Sequence, residues 1–409
     1  MPLGSVSRVP PAVVTLIIAL AAGSLTALTG PASAASPAQP SPSLARGVAY
    51  LTSPANLIGG HYYESFPRTA DFGLTIDGAF ALAATGTDNR ALEKIVGFIA
   101  GQGKDPSGRT VNSWTGIGTR YASGGAIGKE ALLAEVTGAS PRSFGGHDLI
   151  AALDSSVCRN TSAGTGGPCA GRGNYRYATS VFDQALGIIA QVRAGQRADA
   201  TAPVAFLERL RNAGGSFPSL IPDSHDHDVD STAMAVMALA LAGGSRASAD
   251  VDSGLAWIAG QQQPAGGFRG VGGLSVNSAG LAIQALNLRP ARFRARIRSA
   301  LAFLASEQNR DGGFSAYAGQ PGSSMRASTQ AVSGTTGISF GALYRALGSG
   351  AADRKAGGGA TWARLVAGAI IVATVLIVGL VLLRRRRSGS PGSPESGGPI
   401  AQSRDRISS

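Results

Sequence analysis

The sequence predicts an all-α protein, a six-hairpin α/α barrel (toroid) followed by a single C-terminal transmembrane helix. Three observations predict it. A fixed spacing links an aromatic residue to a later Gly-x-aromatic turn, amphipathic helical text alternates with wholly apolar text, and a second apolar run near the end stops at four arginines.

The spacing comes first. Tyr50 precedes Gly60 and Tyr62, Phe98 precedes Gly108, Phe206 precedes Gly215 and Phe217, Trp257 precedes Gly266 and Phe268, and Phe303 precedes Gly312 and Phe314. In the Phe98 copy Thr110 stands where the aromatic would be. A weaker copy runs from Asp148–Leu153 to Gly173-Asn174-Tyr175. A spacing kept this often means one supersecondary unit repeated along the chain.

Each unit holds two helical patterns. The first, as in Gly254-Leu255-Ala256-Trp257-Ile258, places apolar residues at intervals of three and four, as an amphipathic helix requires. The second is apolar on nearly every side: Phe72–Thr85, Ala126–Val136, Val181–Val192, Thr232–Leu241, Ala279–Leu286 and Ile338–Leu347. A helix apolar all round is buried on every face. Amphipathic helices outside and buried helices inside close into a ring. At the turns, Gly266 and Gly312 allow a left-handed helix end, and Gln262 and Gln308, four residues earlier, are expected to bond the last carbonyls of their own helix.

The two ends set the expected topology. An apolar stretch from Ala12 to Leu28 followed by Ala32-Ser33-Ala34 reads as a secretory signal over residues 1–34. Residues 35–42 are a linker, 43–348 the toroid and 349–362 a second linker. The span is placed at 363–383, around the uncharged run Leu365–Leu383, which is long enough to cross a bilayer. Arg384 to Arg387 follow, and positive charge stays cytoplasmic. The expected location is the plasma membrane, single-pass, with the toroid outside and a disordered tail, 384–409, inside.

Net charge is +12. Setting aside Arg8 and the seven basic and two acidic residues from Thr361 onward leaves 28 Lys/Arg against 22 Asp/Glu, a mild +6. No basic run with interleaved aromatics supports nucleic-acid binding, and the arginines of Arg289–Arg298 read as a solvated helix face. Cys158 and Cys169 lie in one Gly/Ser/Thr-rich stretch and are expected to pair, as cysteines of exported proteins do.

Chemistry concentrates in Asp223-Ser224-His225-Asp226-His227-Asp228-Val229-Asp230-Ser231, which leads into the apolar helix from Thr232. Three readings stand. Asp228 or Asp230 caps the helix; His225, His227 and the carboxylates bind a ligand at the mouth of the ring; or Asp230 acts as a general acid. His-x-His matches no standard zinc spacing, and no metal site is expected. Asp77 and Asp183 each enter an apolar inner helix at similar depth and are read as capping or cavity-facing groups.

Gln262-x-x-x-Gly266-x-Phe268 and Gln308-x-x-x-Gly312-x-Phe314 resemble the Gln-x-x-x-Gly-x-Trp repeat of squalene and hopene cyclases, and Arg211-x-x-x-Gly215-x-Phe217 is a weaker copy. The body thus resembles the terpene cyclase/protein prenyltransferase toroid superfamily, which implies the α/α toroid. Asp228-Val229-Asp230-Ser231 resembles the cyclases' D-x-D-D motif, with Ser231 in place of the last Asp, which implies Asp230 as the acid. Val229-Asp230-Ser231-Thr232-Ala233-Met234-Ala235 and Ser275-Val276-Asn277-Ser278 resemble stretches of the cobalamin carriers intrinsic factor and transcobalamin. That second resemblance implies corrin-side contacts at Asp230, Ser275 and Asn277 and a cobalt-ligating His227. The expected function is non-enzymatic binding of a small ligand, a cobalamin-like corrinoid first among candidates. The alternatives are an envelope interaction or scaffold protein with a partner protein, and a cyclase-like enzyme.

Overall fold

In a computed structural model, the structure describes residues 40–160, 168–222 and 226–348. The expected signal, the 363–383 span, the cytoplasmic tail and His225 lie outside the described residues. No helix among the described residues is long and apolar enough to cross a membrane.

In chain order the elements are α1 (Leu44–Leu51), β1 (Glu64–Phe66), β2 (Thr69–Ala70), α2 (Phe72–Thr85), α3 (Asn89–Ala100), α4 (Val111–Thr115), α5 (Gly124–Val136), α6 (Leu149–Ser156), α7 (Val181–Arg193), α8 (Thr201–Arg209), α9 (Val229–Ala242), α10 (Ser245–Gln261), β3 (Phe268–Gly270), β4 (Gly273–Ser275), α11 (Val276–Leu286), α12 (Pro290–Ser306) and α13 (Met325–Thr335). The strands form two small antiparallel hairpins, β1 with β2 and β3 with β4.

The ring is closed. α2 packs on α5, α5 on α7, α7 on α9, α9 on α11, α11 on α13, and α13 back on α2. These six inner helices are buried along nearly their whole length. α1, α3, α6, α8, α10 and α12 pack outside them. Small residues permit the close inner packing: a Cβ on Gly334 would lie 2.4 Å from Gly280 Cα, and one on Gly128 would lie 2.8 Å from Gly187 Cα.

The repeated turn is the joint between neighbouring units. Gly173, Gly215, Gly266 and Gly312 all hold φ between +91° and +94°. A Cβ on each would strike a backbone carbonyl of the next outer helix, at 2.1 Å (Ala202), 2.7 Å (Ser253), 2.2 Å (Ser299) and 2.2 Å (Arg46) respectively. The last of these is the first outer helix, so the same contact that joins successive units also closes the circle. The sequence expectation that Gln262 and Gln308 bond the end of their own helix is not met. Gln262 Nε2 donates to Gly266 O and to Arg296 O of α12, at 2.9 and 2.8 Å. The residue is placed where the chain has already left the helix, so the amide reaches across to the neighbour. At the weaker copy Arg211 forms an ion pair instead, 2.7 Å from Asp250 of α10.

The turn aromatics anchor the inner helices. The backbone N–H of Tyr63, Phe217 and Phe314 donates to Thr75, Thr232 and Ser328 hydroxyls respectively, each four residues past the N-cap of its inner helix. Tyr175 makes the equivalent bond to Gln184. In the imperfect copy Thr110 instead caps α4, with its side chain bonded to Ser113 N.

One expected element is displaced. The sixth inner helix is Met325–Thr335, and Ile338–Leu347 is not helical. That segment is a strap across the end of the ring where the inner helices finish. Phe340 is buried and packs edge-on against Phe80 of α2 at 5.4 Å between centroids. Arg345 N donates to Val136 O, Leu347 N to Thr137 O, and Gln284 of α11 to Ile338 O. Phe340 and Leu343 of the strap are buried, which explains apolar text without a helix.

Cys158 and Cys169 form a disulfide with their Cα atoms 5.8 Å apart.

Candidate functional site

The strap shuts one end; the other end is a mouth formed by the starts of all six inner helices. Their N-caps are Asp71, Ser123, Ser180, Asp228, Ser275 and Ser324, and each side chain accepts a hydrogen bond from the backbone N–H three residues on. Capping is therefore the role of Asp228 and Ser275 that the geometry displays, with Asp228 Oδ1 2.7 Å from Ser231 N. Six helix N-termini at one opening also give it positive potential.

Behind the caps every inner helix contributes a polar side chain within its first two turns. Asp77 of α2 forms an ion pair with Lys129 of α5 at 2.7 Å, with both side chains largely buried. Asp183 of α7 packs beside α5, where a Cβ on Gly125 would meet its carboxyl group at 2.6 Å. Burial raises the Asp183 carboxyl above its ordinary range, against the pull of Ser180 and Lys129. Asp230 lies in the first turn of α9, Ser278 in that of α11, and Gln330 of α13 completes the circle. Gln330 Oε1 is buried without a hydrogen-bond partner.

Asp230 is the most perturbed of these. Its Oδ1 is screened from water and has no hydrogen-bond partner. Burial, reinforced by the neighbouring Asp228 carboxylate and opposed by the Ser278 hydroxyl, pushes its carboxyl up to about 7. At neutral pH it is divided between acid and carboxylate. Asn277 sits at the equivalent second position of α11 and is half-buried, as Asp230 is on α9.

The structure parts His227 from Asp230. Asp228 is extended (φ −112°, ψ 129°), so side chains alternate there and His227 turns away from the ring. Its Nδ1 lies 2.6 Å from Ser216 Oγ and 3.2 Å from Asn212 Nδ2, and its ring lies 6.3 Å from Trp257 of the outer helix α10. Asp230 thus lies in the first turn of the inner helix, and the His227 imidazole lies on the shoulder of the mouth. Asp226 Oδ1 accepts from Ser219 N. No group of three or more metal-ligating side chains gathers among the described residues.

Large apolar side chains stand among charged ones on the mouth's rim. Phe66, Tyr121, Leu220 and Val271 are exposed, and each lies on a connection leading from an outer helix to an inner one. Tyr121 also faces Tyr177, at 6.2 Å between rings.

Lys129, Ser278 and Gln330 were not legible as site residues. Lys129 alone left a signal, as a cation inside the otherwise apolar run Ala126–Val136.

Residues 179–336 match the family described as the prenyltransferase alpha-alpha toroid domain. No curated protein matches the sequence. Among solved structures, the type II terpene cyclase MstE from Scytonema is similar with TM-score 0.53 and 15% identity, over 72% of this chain and 96% of that one. A protein from Actinoplanes gives TM-score 0.50 and 18% identity, over 73% and 97%. The GH76A alpha-1,6-mannanase of Salegentibacter gives 0.51 and 10%, over 72% and 97%. These likenesses agree with the toroid superfamily resemblance carried by the Gln-x-x-x-Gly-x-Phe repeats, and at such identities they speak to fold alone.

Proposed function

We propose that the mouth of the ring captures a small ligand without transforming it. The observation that carries this reading is Asp230 Oδ1, a buried carboxyl oxygen with no partner inside a circle of polar side chains drawn from six helices. An unpaired buried acceptor is costly, and a ligand that donates a hydrogen bond to it relieves the cost. The exposed side chains of Phe66, Tyr121, Leu220 and Val271 on the rim suit a ligand whose polar part enters first.

The ligand class we put first is a cobalamin-like corrinoid. Its edge amides would supply donors to Asp230, with Ser275 and Asn277 beside it on α11. His227, held at Nδ1 by Ser216, would offer its other ring nitrogen to cobalt. We further propose a membrane anchor at 363–383 with the ring outside the cell. The strap, which ends the described residues, lies at the closed end, so an anchor following it would leave the mouth facing away from the bilayer. The test is a titration of the protein with aquocobalamin, followed in the visible spectrum. A saturable shift that Asp230→Asn weakens and His227→Ala alters supports the reading; an unchanged spectrum removes the corrinoid, and an equal shift in His227→Ala removes the axial ligand.

A second reading rests on the same carboxyl. A carboxyl group held protonated up to about pH 7 has a proton to deliver at neutral pH, the first requirement of a general acid. Turnover of a prenylated substrate that is lost in Asp230→Asn would favour it over capture.

A further inference from the structure

The connections into two neighbouring inner helices carry the same short text. Arg120-Tyr121-Ala122 precedes the Ser123 cap of α5, and Arg176-Tyr177-Ala178-Thr179 precedes the Ser180 cap of α7. The fold brings the two copies together. Arg176 Nη2 donates to Arg120 O at 3.2 Å, Gly124 N donates to Arg176 O at 2.8 Å, and the two tyrosine rings lie 6.2 Å apart. Tyr177 holds φ at +54°, a left-handed backbone that a bulky residue rarely adopts, so the join is kept against local preference.

Beside this join lies a cavity of about 350 Å³, between the 116–122 connection and the last turn of the outer helix α6. Among the described residues, Arg120 and Arg176 are its only charged lining groups, and neither forms an ion pair. Both reach solvent, Arg120 exposed and Arg176 half-buried. The text around them explains the lack of partners: neither residues 106–129 nor residues 155–182 include an Asp or a Glu.

A guanidinium group has five N–H donors. Arg120 gives one to the Tyr121 hydroxyl, over whose ring it lies at 4.8 Å, and Arg176 gives one to Arg120 O. The lining hydroxyls offer no further hydrogens, since Thr119, Ser155 and Ser156 donate to the Gly116, Ala152 and Leu153 carbonyls. The side-chain donors left for a ligand are therefore those of the two arginines.

Two like charges at one cavity repel, and the end of α6 returns only about half a negative charge. A cation or a neutral polyol leaves that repulsion in place. A carboxylate or a phosphodiester offsets one charge of the two. A phosphate monoester carries about −1.5 to −2 at neutral pH and presents three oxygens, so it offsets both charges and accepts from both forks. We infer that the cavity between Arg120 and Arg176 binds a phosphate monoester group. This site lies apart from Asp230 and does not depend on what the mouth binds.

The test is isothermal titration calorimetry of the full chain, in phosphate-free buffer, with sn-glycerol 3-phosphate and with dioctanoyl phosphatidate. The first probes a soluble monoester and the second a lipid headgroup. At least one is expected to bind saturably at millimolar concentration or below, and the tighter of the two names the source. Arg120→Gln and Arg176→Gln should each weaken binding about tenfold. Arg176→Lys keeps the charge but loses the fork, and should also weaken it. Arg68→Gln removes an exposed arginine that stands before the Asp71 cap as Arg120 stands before Ser123, and should leave binding unchanged. No saturable heat with either monoester, equal affinity for dimethyl phosphate, wild-type binding in Arg120→Gln and Arg176→Gln, or the same loss in Arg68→Gln would each overturn the assignment.

Discussion

Gln308 and Ser43 exchange two hydrogen bonds across 265 positions of sequence: Ser43 N donates to Gln308 Oε1 at 2.8 Å, and Gln308 Nε2 donates to Ser43 O at 2.9 Å. The same amide also donates to Gly312 O, as Gln262 does to Gly266 O one unit earlier. One side chain therefore ends the last unit and begins the first.

Gln308→Ala removes this clasp and should cost about 2–3 kcal/mol, at about 1 kcal/mol per net hydrogen bond. Gly312→Ala should cost at least as much, because alanine is strained at φ +93° and its Cβ would lie 2.2 Å from Arg46 O. Chemical denaturation of the two variants checks both values. Wild-type stability in Gly312→Ala would mean that the contact yields without cost.

The buried pair Asp77–Lys129 should behave as a unit. Lys129→Met strands a buried carboxylate and is expected to cost about 3 kcal/mol or more, whereas the double variant with Asp77→Asn should recover much of that loss. A double-mutant cycle measures the coupling; additive losses would show that the two groups are independent.

Glu130 of α5 is fully buried, with neither carboxyl oxygen hydrogen-bonded. Burial raises it from 4.5 to about 8. The group is protonated in both folded and unfolded chains at low pH. Above pH 4.5 the unfolded chain releases the proton first, so folding loses stability as pH rises towards about 8. Glu130→Gln should flatten that decline and stabilise the protein at pH 8 by on the order of 2–4 kcal/mol. Melting temperatures across pH 5 to 8 report it, and parallel curves for the two proteins would refute it.

Phe340→Ala empties the place against Phe80 and should cost about 3–4 kcal/mol. Because Phe340 anchors the strap, the same variant should loosen proteolytic protection of residues 338–347 while leaving the mouth intact. Limited proteolysis followed by mass spectrometry separates the two effects.

Reduction of Cys158–Cys169, 11 residues apart, should cost about 3 kcal/mol in a loop-entropy account. A thermal melt with and without reductant measures it, and coincident melts would place the bond outside the cooperative unit.

Much of the ring could be read from the chain because its joints repeat: a glycine with φ near +90° must recur wherever one outer helix meets the next. The last inner helix escaped because Met325–Thr335 is rich in Ser, Thr and Gln, and so did not look apolar. Its hydroxyls are satisfied within the helix, Ser328 on Ser324 O, Thr329 on Arg326 O and Thr335 on Ala331 O, so their burial is tolerated. Ile338–Leu347 took its place in the reading because apolar periodicity cannot tell a helix from a plug. At the mouth, Asp228 and Asp230 stood out locally. Lys129 and Gln330 did not, since each gains meaning from a neighbour that only the closed ring supplies. Sequence proximity to Asp230 did not reveal that His227 would bond Ser216 and lie beside Trp257, because the side on which an extended residue points is not fixed by spacing.

A linear stack of repeats has end units that fray and can be lost one by one. The clasp between Gln308 and Ser43 leaves this protein without an outermost unit. Every hairpin has two neighbours, so none can peel away before its bonds on both flanks are broken, and the body is bound to hold or melt as one piece.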